Sequence, residues 1–306
     1  MKNYSKFLKK KSNVIFLFHG VIDRNPFKIR NYTKKHLLKK EFIQVLNDLN
    51  KKGNCMSLDQ VCDTIKNKRN FKDYSYSITF DDGFYNNYKI AAPILKKRKL
   101  YATFYLTTSF IDKNETSWID KIEHMIEKLK IKKTINIFNK KFNIDNTKKE
   151  KINFLNSIRY YAKKDNTNFN KLVLIIKKQL GFNYKLNKLN NLNNILDKKM
   201  NWSQVRKLNK CEYFTVGGHT VNHPILSFLN DREAKKEIYN SINAIEKKTK
   251  IKVKHYSYPE GLKHTFGKRE IKLLKNRGIS ICPSAEFGFN NKYTDLFNLK
   301  RIFVNS

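Results

Sequence analysis

The chain is predicted to adopt an α/β fold on a parallel sheet, open or closed. Three observations support this. Short apolar runs alternate with helix-period segments along most of the chain. Two of those runs lead straight into chemistry-bearing residues, Asp81-Asp82-Gly83 and His219 to Pro224, as expected where strands of a parallel sheet end at an active site. The 306 residues, 40% of them hydrophobic, are enough to cover such a sheet on both faces.

Val14 to Phe18 is the first strand, fully apolar. Thr33 is expected to cap a helix with Leu38, Phe42, Val45, Leu46 and Leu49 inward and Gly53 at its end. Ser77 to Phe80 is a strand, Asn87 to Lys99 a helix burying Ala91, Ile94 and Leu95, and Tyr101 to Leu106 a strand. Residues 112–200 break the alternation. They are polar, rich in Asn and Lys, with helical patches at Lys121 to Leu129 and Phe169 to Leu180. This segment reads as a helical insertion over the mouth of the sheet, leaving residues 1–111 and 201–306 as one catalytic unit. A short helix at Ser203 to Leu208, a strand at Tyr213 to Val216 and a long helix capped by Asp231 follow, the last with Ala234, Ile238, Ile242 and Ile245 in register. Lys254 to Tyr258, Ile279 to Cys282 and Ile302 to Val304 complete seven strands, with a helix at Lys268 to Arg277 closed by Gly278.

The formal charge of +38 invites an anionic partner. Lysine is spread along the whole chain, however, and no compact basic motif with interleaved aromatics stands out, so nucleic acid is not the expected partner. Salt-sensitive DNA binding without metal dependence would mark that rival. Peripheral contact of the basic surface with a membrane stays open. Cys55, Cys62, Cys211 and Cys282 form no Cys-x-x-Cys pair and read as free thiols of a reducing compartment. The apolar stretch Val14 to Phe18 is too short for a signal peptide, and nothing approaches a membrane span, so the expected location is cytoplasmic.

Side chains alternate across a strand, so Asp81 and Asp82 can face one site only where the strand ends and turns, a turn Gly83 allows. His219 and His223, four apart, supply two imidazoles. A carboxylate with two neutral imidazoles leaves coordination positions open, the catalytic rather than the structural pattern for a divalent ion. Together these are the parts of a one-metal hydrolase.

Both segments, with their flanks, resemble the polysaccharide deacetylase family, carbohydrate esterase family 4 or NodB homology domain. Its first motif, Thr-Phe-Asp-Asp-Gly, matches Thr79 to Gly83, and its second, His-Ser/Thr-x-x-His-Pro, matches His219 to Pro224. Tyr101 to Leu106 looks like the family's next strand and Ser257 to Gly261 like a variant third motif, so the resemblance runs from about Val14 to Val304. It implies an irregular (β/α) barrel of seven strands and removal of N-acetyl, or else N-formyl, groups from an amino sugar in a polysaccharide or glycan precursor. Asp82, His219 and His223 are then the ligands of a divalent metal, zinc first, with cobalt, nickel or iron as alternatives. Asp81 is the general base.

Two departures matter. The family's Leu-x-His near the C-terminus has no counterpart in Leu299 to Val304, so the proton donor to the leaving amine falls to His19, in a Phe-His-Gly-Val start similar to the Tyr-His-x-Val of a branch acting on N-acetylglucosamine polymers. His255 and His264 are weaker candidates. The family's Arg-x-Pro-Tyr is here Ser257-Tyr258-Pro259-Glu260, and serine cannot make a bidentate ion pair. Arg301 on the last strand is the substitute. Glu260 is expected either to touch substrate or to face solvent, and Trp118 and Asp120 are candidates to line the cleft. The rival from another class is a catalytically impaired glycan-binding protein that keeps the fold.

Overall fold

The computed structural model describes residues 3–164, 167–183 and 194–305. Its strands are β1 (Asn13–Phe18), β2 (Gly20–Ile22), β3 (His36–Leu38), β4 (Asn54–Cys55), β5 (Ser75–Phe80), β6 (Ala102–Leu106), β7 (Lys133–Ile137), β8 (Lys140–Ile144), β9 (Phe214–Gly218) and β10 (Arg301–Phe303). The helices are α1 (Lys39–Asn50), α2 (Leu58–Lys66), α3 (Ala92–Lys97), α4 (Thr108–Lys113), α5 (Trp118–Lys128), α6 (Lys148–Lys164), α7 (Phe169–Leu180), α8 (Trp202–Asn209), α9 (Asp231–Thr249) and α10 (Lys268–Asn276).

The main sheet is parallel, in the order β10-β1-β5-β6-β9, with β4 also paired to β5. Beyond β9, single parallel bridges join Gly218 to Tyr256, His255 to Ile281 and Pro283 to Leu299. β1 and β5 are buried along their whole length, which explains their continuous apolar or small-residue character. α9 packs Ala234, Ile238, Ile242 and Ile245 inward at helical spacing.

A second apolar cluster, separate from the sheet's, joins α5, α6 and α7 through residues such as Ile122, Met125, Leu155, Ile158, Val173 and Ile176. The antiparallel hairpin β7–β8 adds Ile135 and Ile144 to it. This segment is thus helical with a hairpin rather than helical throughout. All four cysteines are free thiols, and among the described residues no helix is long and apolar enough to cross a membrane.

Several boundaries differ from expectation for physical reasons. Thr33 caps no helix: residues 36–38 pair with β2, and α1 starts at Lys39, where Glu41 accepts the Leu38 amide at 2.9 Å. The Asn87 to Lys99 segment opens with a π-turn over Asn87–Ala91, because Pro93 has no N–H to extend an α-helical ladder backward. Asn230, not Asp231, caps α9, forming a reciprocal capping box with Glu233. The strands expected at 254–258 and 279–282 are reduced to the single bridges above.

Candidate active site

The parallel register brings the sequence-predicted residues to one end of the sheet. Phe18 of β1 faces Phe80 of β5, and the Asp81 amide donates to the Phe18 carbonyl at 3.1 Å, so His19 and Asp81 leave neighbouring strands at the same level. Leu106 faces Gly218, and the His219 amide donates to the Leu106 carbonyl at 2.9 Å. All three therefore sit at the carboxyl ends of strands, where open positions of an α/β sheet gather ligands.

Asp82 adopts φ +73°, turning its side chain away from the strand's alternation toward the same centre as Asp81. Thr220 and His223 are also left-handed, at φ +65° and +59°. Such conformations cost about 1–3 kcal/mol each in non-glycine residues and concentrate at functional sites. Asp82 Oδ1 lies 3.7 Å from His219 Nε2 and 3.4 Å from His223 Nε2. One ligand-type atom from each of these residues fits within a 4.8 Å span, the arrangement a small divalent cation needs. Asp82 Oδ1 is buried with no hydrogen-bond partner, a state costly to leave unmet and suited to a cation. Burial pushes the Asp82 carboxyl up, but His223, His19 and His219 outweigh it and hold it well below the usual carboxylate range. The donor set and its geometry fit a divalent ion.

His219 is oriented from behind. Its Nδ1 faces the Ser257 carbonyl at 2.8 Å and the Ser257 hydroxyl at 2.7 Å, which leaves Nε2 for the centre. Ser257 stands where the resemblance has an arginine, so at this position the chain holds an imidazole. Asp81 is held by Arg301. The guanidinium grips Asp81 with both arms, at 2.9 and 3.0 Å, and donates Nε–H to the Ser284 carbonyl at 2.5 Å. Burial raises the Asp81 carboxyl's pKa, but Arg301 and His219 overcome it, so the group is ionised and ready to accept a proton.

His19 lines the same cleft, its ring edge-on to Phe303 at 5.4 Å. Burial lowers its pKa to about 4 against the pull of Asp82 and Asp81, so the imidazole rests neutral near pH 7. The other two histidines lie elsewhere. His255 Nε2 pairs with Asp59 at 2.9 Å, and His264 contributes its carbonyl to Ser227.

The cleft, about 300 Å³, is walled on one side by the sheet's residues and on the other by Trp118, Ile119, Arg159 and Lys163 from the 118–164 segment. Trp118 is both cleft wall and core: it is 8% exposed and stacks on Phe169 at 4.6 Å. Asp120 does not line the cleft but holds Lys35, which does, at 2.7 Å. Glu260 lines it too, ion-paired with Lys163 across the opening; burial raises its carboxyl, but Lys163 and His223 prevail and bring it down to about 2. Sequence reasoning read Ser257 only as a missing arginine and missed Arg159 and Lys163, since two cations in a lysine-rich background carry no spacing signal.

The polysaccharide deacetylase family model matches residues 68–150 and 167–280. No curated protein matches the chain. Among solved structures, the Streptococcus pyogenes deacetylase PplD, solved with acetate, superposes with a TM-score of 0.62 at 14% identity over 97% of this chain and 93% of its own. IcaB from Ammonifex degensii gives 0.62 at 15% identity over 97% and 94%, and a de-N-acetylase from Aggregatibacter actinomycetemcomitans 0.62 at 16% over 96% and 95%. At these identities the likeness is one of fold.

Proposed function

The chain belongs to the polysaccharide deacetylase family, and from that premise we propose that it is a divalent-metal-dependent hydrolase that removes the N-acetyl group of an amino sugar in a polysaccharide or glycan precursor. The observation that carries this reading is the convergence of Asp82, His219 and His223 on one buried point beside an Asp81 clamped by Arg301.

In the proposed mechanism, Asp82, His219 and His223 hold the ion, zinc by preference. When bound, such an ion polarises the amide carbonyl and makes water more acidic. Asp81 takes the proton from the attacking water as oxygen adds to the carbonyl carbon. Arg301 keeps both carboxylate oxygens of Asp81 aimed and ionised. His19 is assigned the return of a proton to the departing nitrogen as the C–N bond breaks, giving acetate and a free amine. The neighbouring carboxylates raise its basicity against burial, so it gains that proton during turnover rather than holding it at rest.

The same reading takes the sheet as an irregular closed barrel, supported by the bridges that continue from β9 through Tyr256, Ile281 and Leu299 to the strand of Arg301. Residues 112–200 are read as an insertion over its mouth, supported by their separate apolar cluster and by Arg159 and Lys163 in the cleft wall.

The test is acetate release by zinc- or cobalt-loaded protein from N-acetylglucosamine-containing glycans, nucleotide sugars and lipid-linked saccharides. Release from at least one class is expected. A fully loaded protein that releases none would overturn the reading.

A further inference from the structure

A cleft of about 470 Å³ between the 25–38 segment and the start of α6 shares no lining residue with the catalytic one. Consecutive residues divide the two: Lys35 lines the catalytic cleft, whereas Lys34 and His36 line this one. Two of its lining side chains have more hydrogen-bonding capacity than the protein uses. Arg30, 1% exposed, spends both terminal nitrogens on Asp197, at 2.6 and 2.5 Å, and its Nε–H is buried with no acceptor. His36, 3% exposed, likewise leaves Nε2 buried without a partner.

Neighbours fix which nitrogen of His36 carries the proton. The Val21 amide donates to Asn86 Oδ1 at 3.2 Å and Asn86 Nδ2 donates to the Ile195 carbonyl at 3.1 Å, so the same Nδ2 meets His36 Nδ1 as a donor, at 3.1 Å. Nδ1 therefore accepts and Nε2 bears the hydrogen. Both unmet groups are donors, and a buried donor without an acceptor is costly. Asn31 holds the turn above them rigid, bonding the amide and the carbonyl of His36, both at 2.8 Å.

The rim is cationic. Lys28, Lys34 and Lys148 stand exposed around it, and none of them forms an ion pair among the described residues. The Glu41 carboxylate, also in the wall, is occupied with the Leu38 amide at 2.9 Å. Lysine is spread over the whole chain, so the rim alone would mean little; buried, unmet N–H groups beneath three unpaired cations mark an anion with many acceptor atoms. A carboxylate offers a single charge and a pair of oxygens, whereas a phosphate group brings about two charges and three oxygens, the better match to a guanidinium edge, an imidazole N–H and three ammonium groups. Phe27, whose ring lies 5.3 Å from the Arg30 guanidinium, and Ile152 add apolar surface for an organic remainder.

We propose that this cleft is a second, non-catalytic site that binds a phosphate group, carried by a soluble phosphate ester or by a lipid headgroup. Arg30 Nε and His36 Nε2 donate to its oxygens, and Lys28, Lys34 and Lys148 balance its charge. The site does not depend on the deacetylase reading.

The experiment titrates the full chain at physiological salt with pyrophosphate, glycerol 3-phosphate and acetate by calorimetry, and with phosphatidylcholine vesicles containing or lacking phosphatidic acid by sedimentation. Saturable binding of at least one phosphate probe is expected, with acetate weaker by about tenfold or more. Binding of a soluble probe upholds the site with a free phosphate ester as its ligand, and binding only to vesicles that contain phosphatidic acid upholds it with a headgroup. Lys34→Gln combined with Lys148→Gln should weaken that binding by about tenfold. The equal loss of charge in Lys236→Gln combined with Lys247→Gln, both exposed on α9, should weaken it by no more than about twofold, as expected of screened charges. The His36 Nε2–H signal, followed by NMR in the parent chain with the soluble probes and short-chain phosphatidic acid, should shift on binding, which tests the buried donor without a variant that strands Asn86. No saturable binding of any phosphate probe, acetate binding as tight as phosphate, equal losses in the two double variants, or an unmoved His36 signal would each overturn the proposal.

Discussion

Asp81 is held by a guanidinium 220 positions away in the sequence, and the pair is buried on both sides. Two consequences follow at the scale of single residues. Asp81→Asn should retain bound metal yet lose about 10²- to 10⁴-fold in turnover, because an amide cannot take the proton. Metal content beside kcat checks this, and near-parental turnover would remove Asp81 from the mechanism. Arg301→Gln should destabilise the fold by about 3–5 kcal/mol, since it strands a buried carboxylate, and denaturant midpoints will show it. His19→Gln should keep the metal but lower turnover by about 10²- to 10⁴-fold, the scale of a lost proton donor. A less stable variant with unchanged specific activity would make His19 structural. The carboxylate pair and the histidine pair were legible in the sequence because their spacing is itself the signal. Ser257 was legible only as a missing arginine. That its carbonyl and hydroxyl would both face His219 Nδ1 depends on the Ser257 amide reaching the Gly218 carbonyl at 2.9 Å, a long-range contact that no local pattern encodes.

At the scale of elements, β9 ends in Gly217-Gly218 because neighbours leave no room for side chains. A Cβ on Gly218 would lie 2.5 Å from the Tyr256 ring, and one on Gly217 2.7 Å from the His255 carbonyl. Gly218→Ala should therefore cost about 1–3 kcal/mol by overpacking and weaken metal binding by displacing His219, the next residue. Thermal melting with and without zinc measures both. Stability and metal affinity equal to the parent's would refute the close packing. Elements with strong periodicity were read well from the sequence: the helix expected at Phe169 to Leu180 has those bounds. The hairpin β7–β8 was not legible, since its strands are rich in Lys and Asn and bury Ile135 and Ile144 alone. The segments around Tyr256 and Ile281 show the converse error: they were read as strands, and in the structure they pair only through single bridges.

For the molecule as a whole, buried histidines make acid stability predictable. His36 is 3% exposed and its pKa lies well below the usual value, chiefly through burial and then Lys35; His19 is lowered to about 4. Both take up protons in the unfolded chain near pH 6.5 before they do so in the folded one, so the unfolded state binds more protons in that interval. Stability of the metal-free protein should fall as pH drops from about 6.5 toward 4, each unit of separation being worth about 1.4 kcal/mol. Chemical unfolding of chelator-treated protein across this range tests it, and a flat profile would contradict the buried, neutral state. The α/β class and the placing of the chemistry at the strand ends could be read from sequence. The buried Arg30–Asp197 pair at 2.5 Å and the Lys163–Glu260 pair could not, because they join segments about a hundred or more residues apart.

Asp82, His219 and His223 are proposed to hold one divalent ion on which de-N-acetylation depends. Elemental analysis after chelator dialysis and zinc reloading tests it most directly, on the parent chain and on Asp82→Ala, His219→Ala and His223→Ala. About one zinc per parent chain is expected, with acetate release that returns with it and weakened retention in each variant, because three protein ligands leave little redundancy. Full occupancy in all three variants, or acetate release by the parent chain that persists without metal, would contradict it.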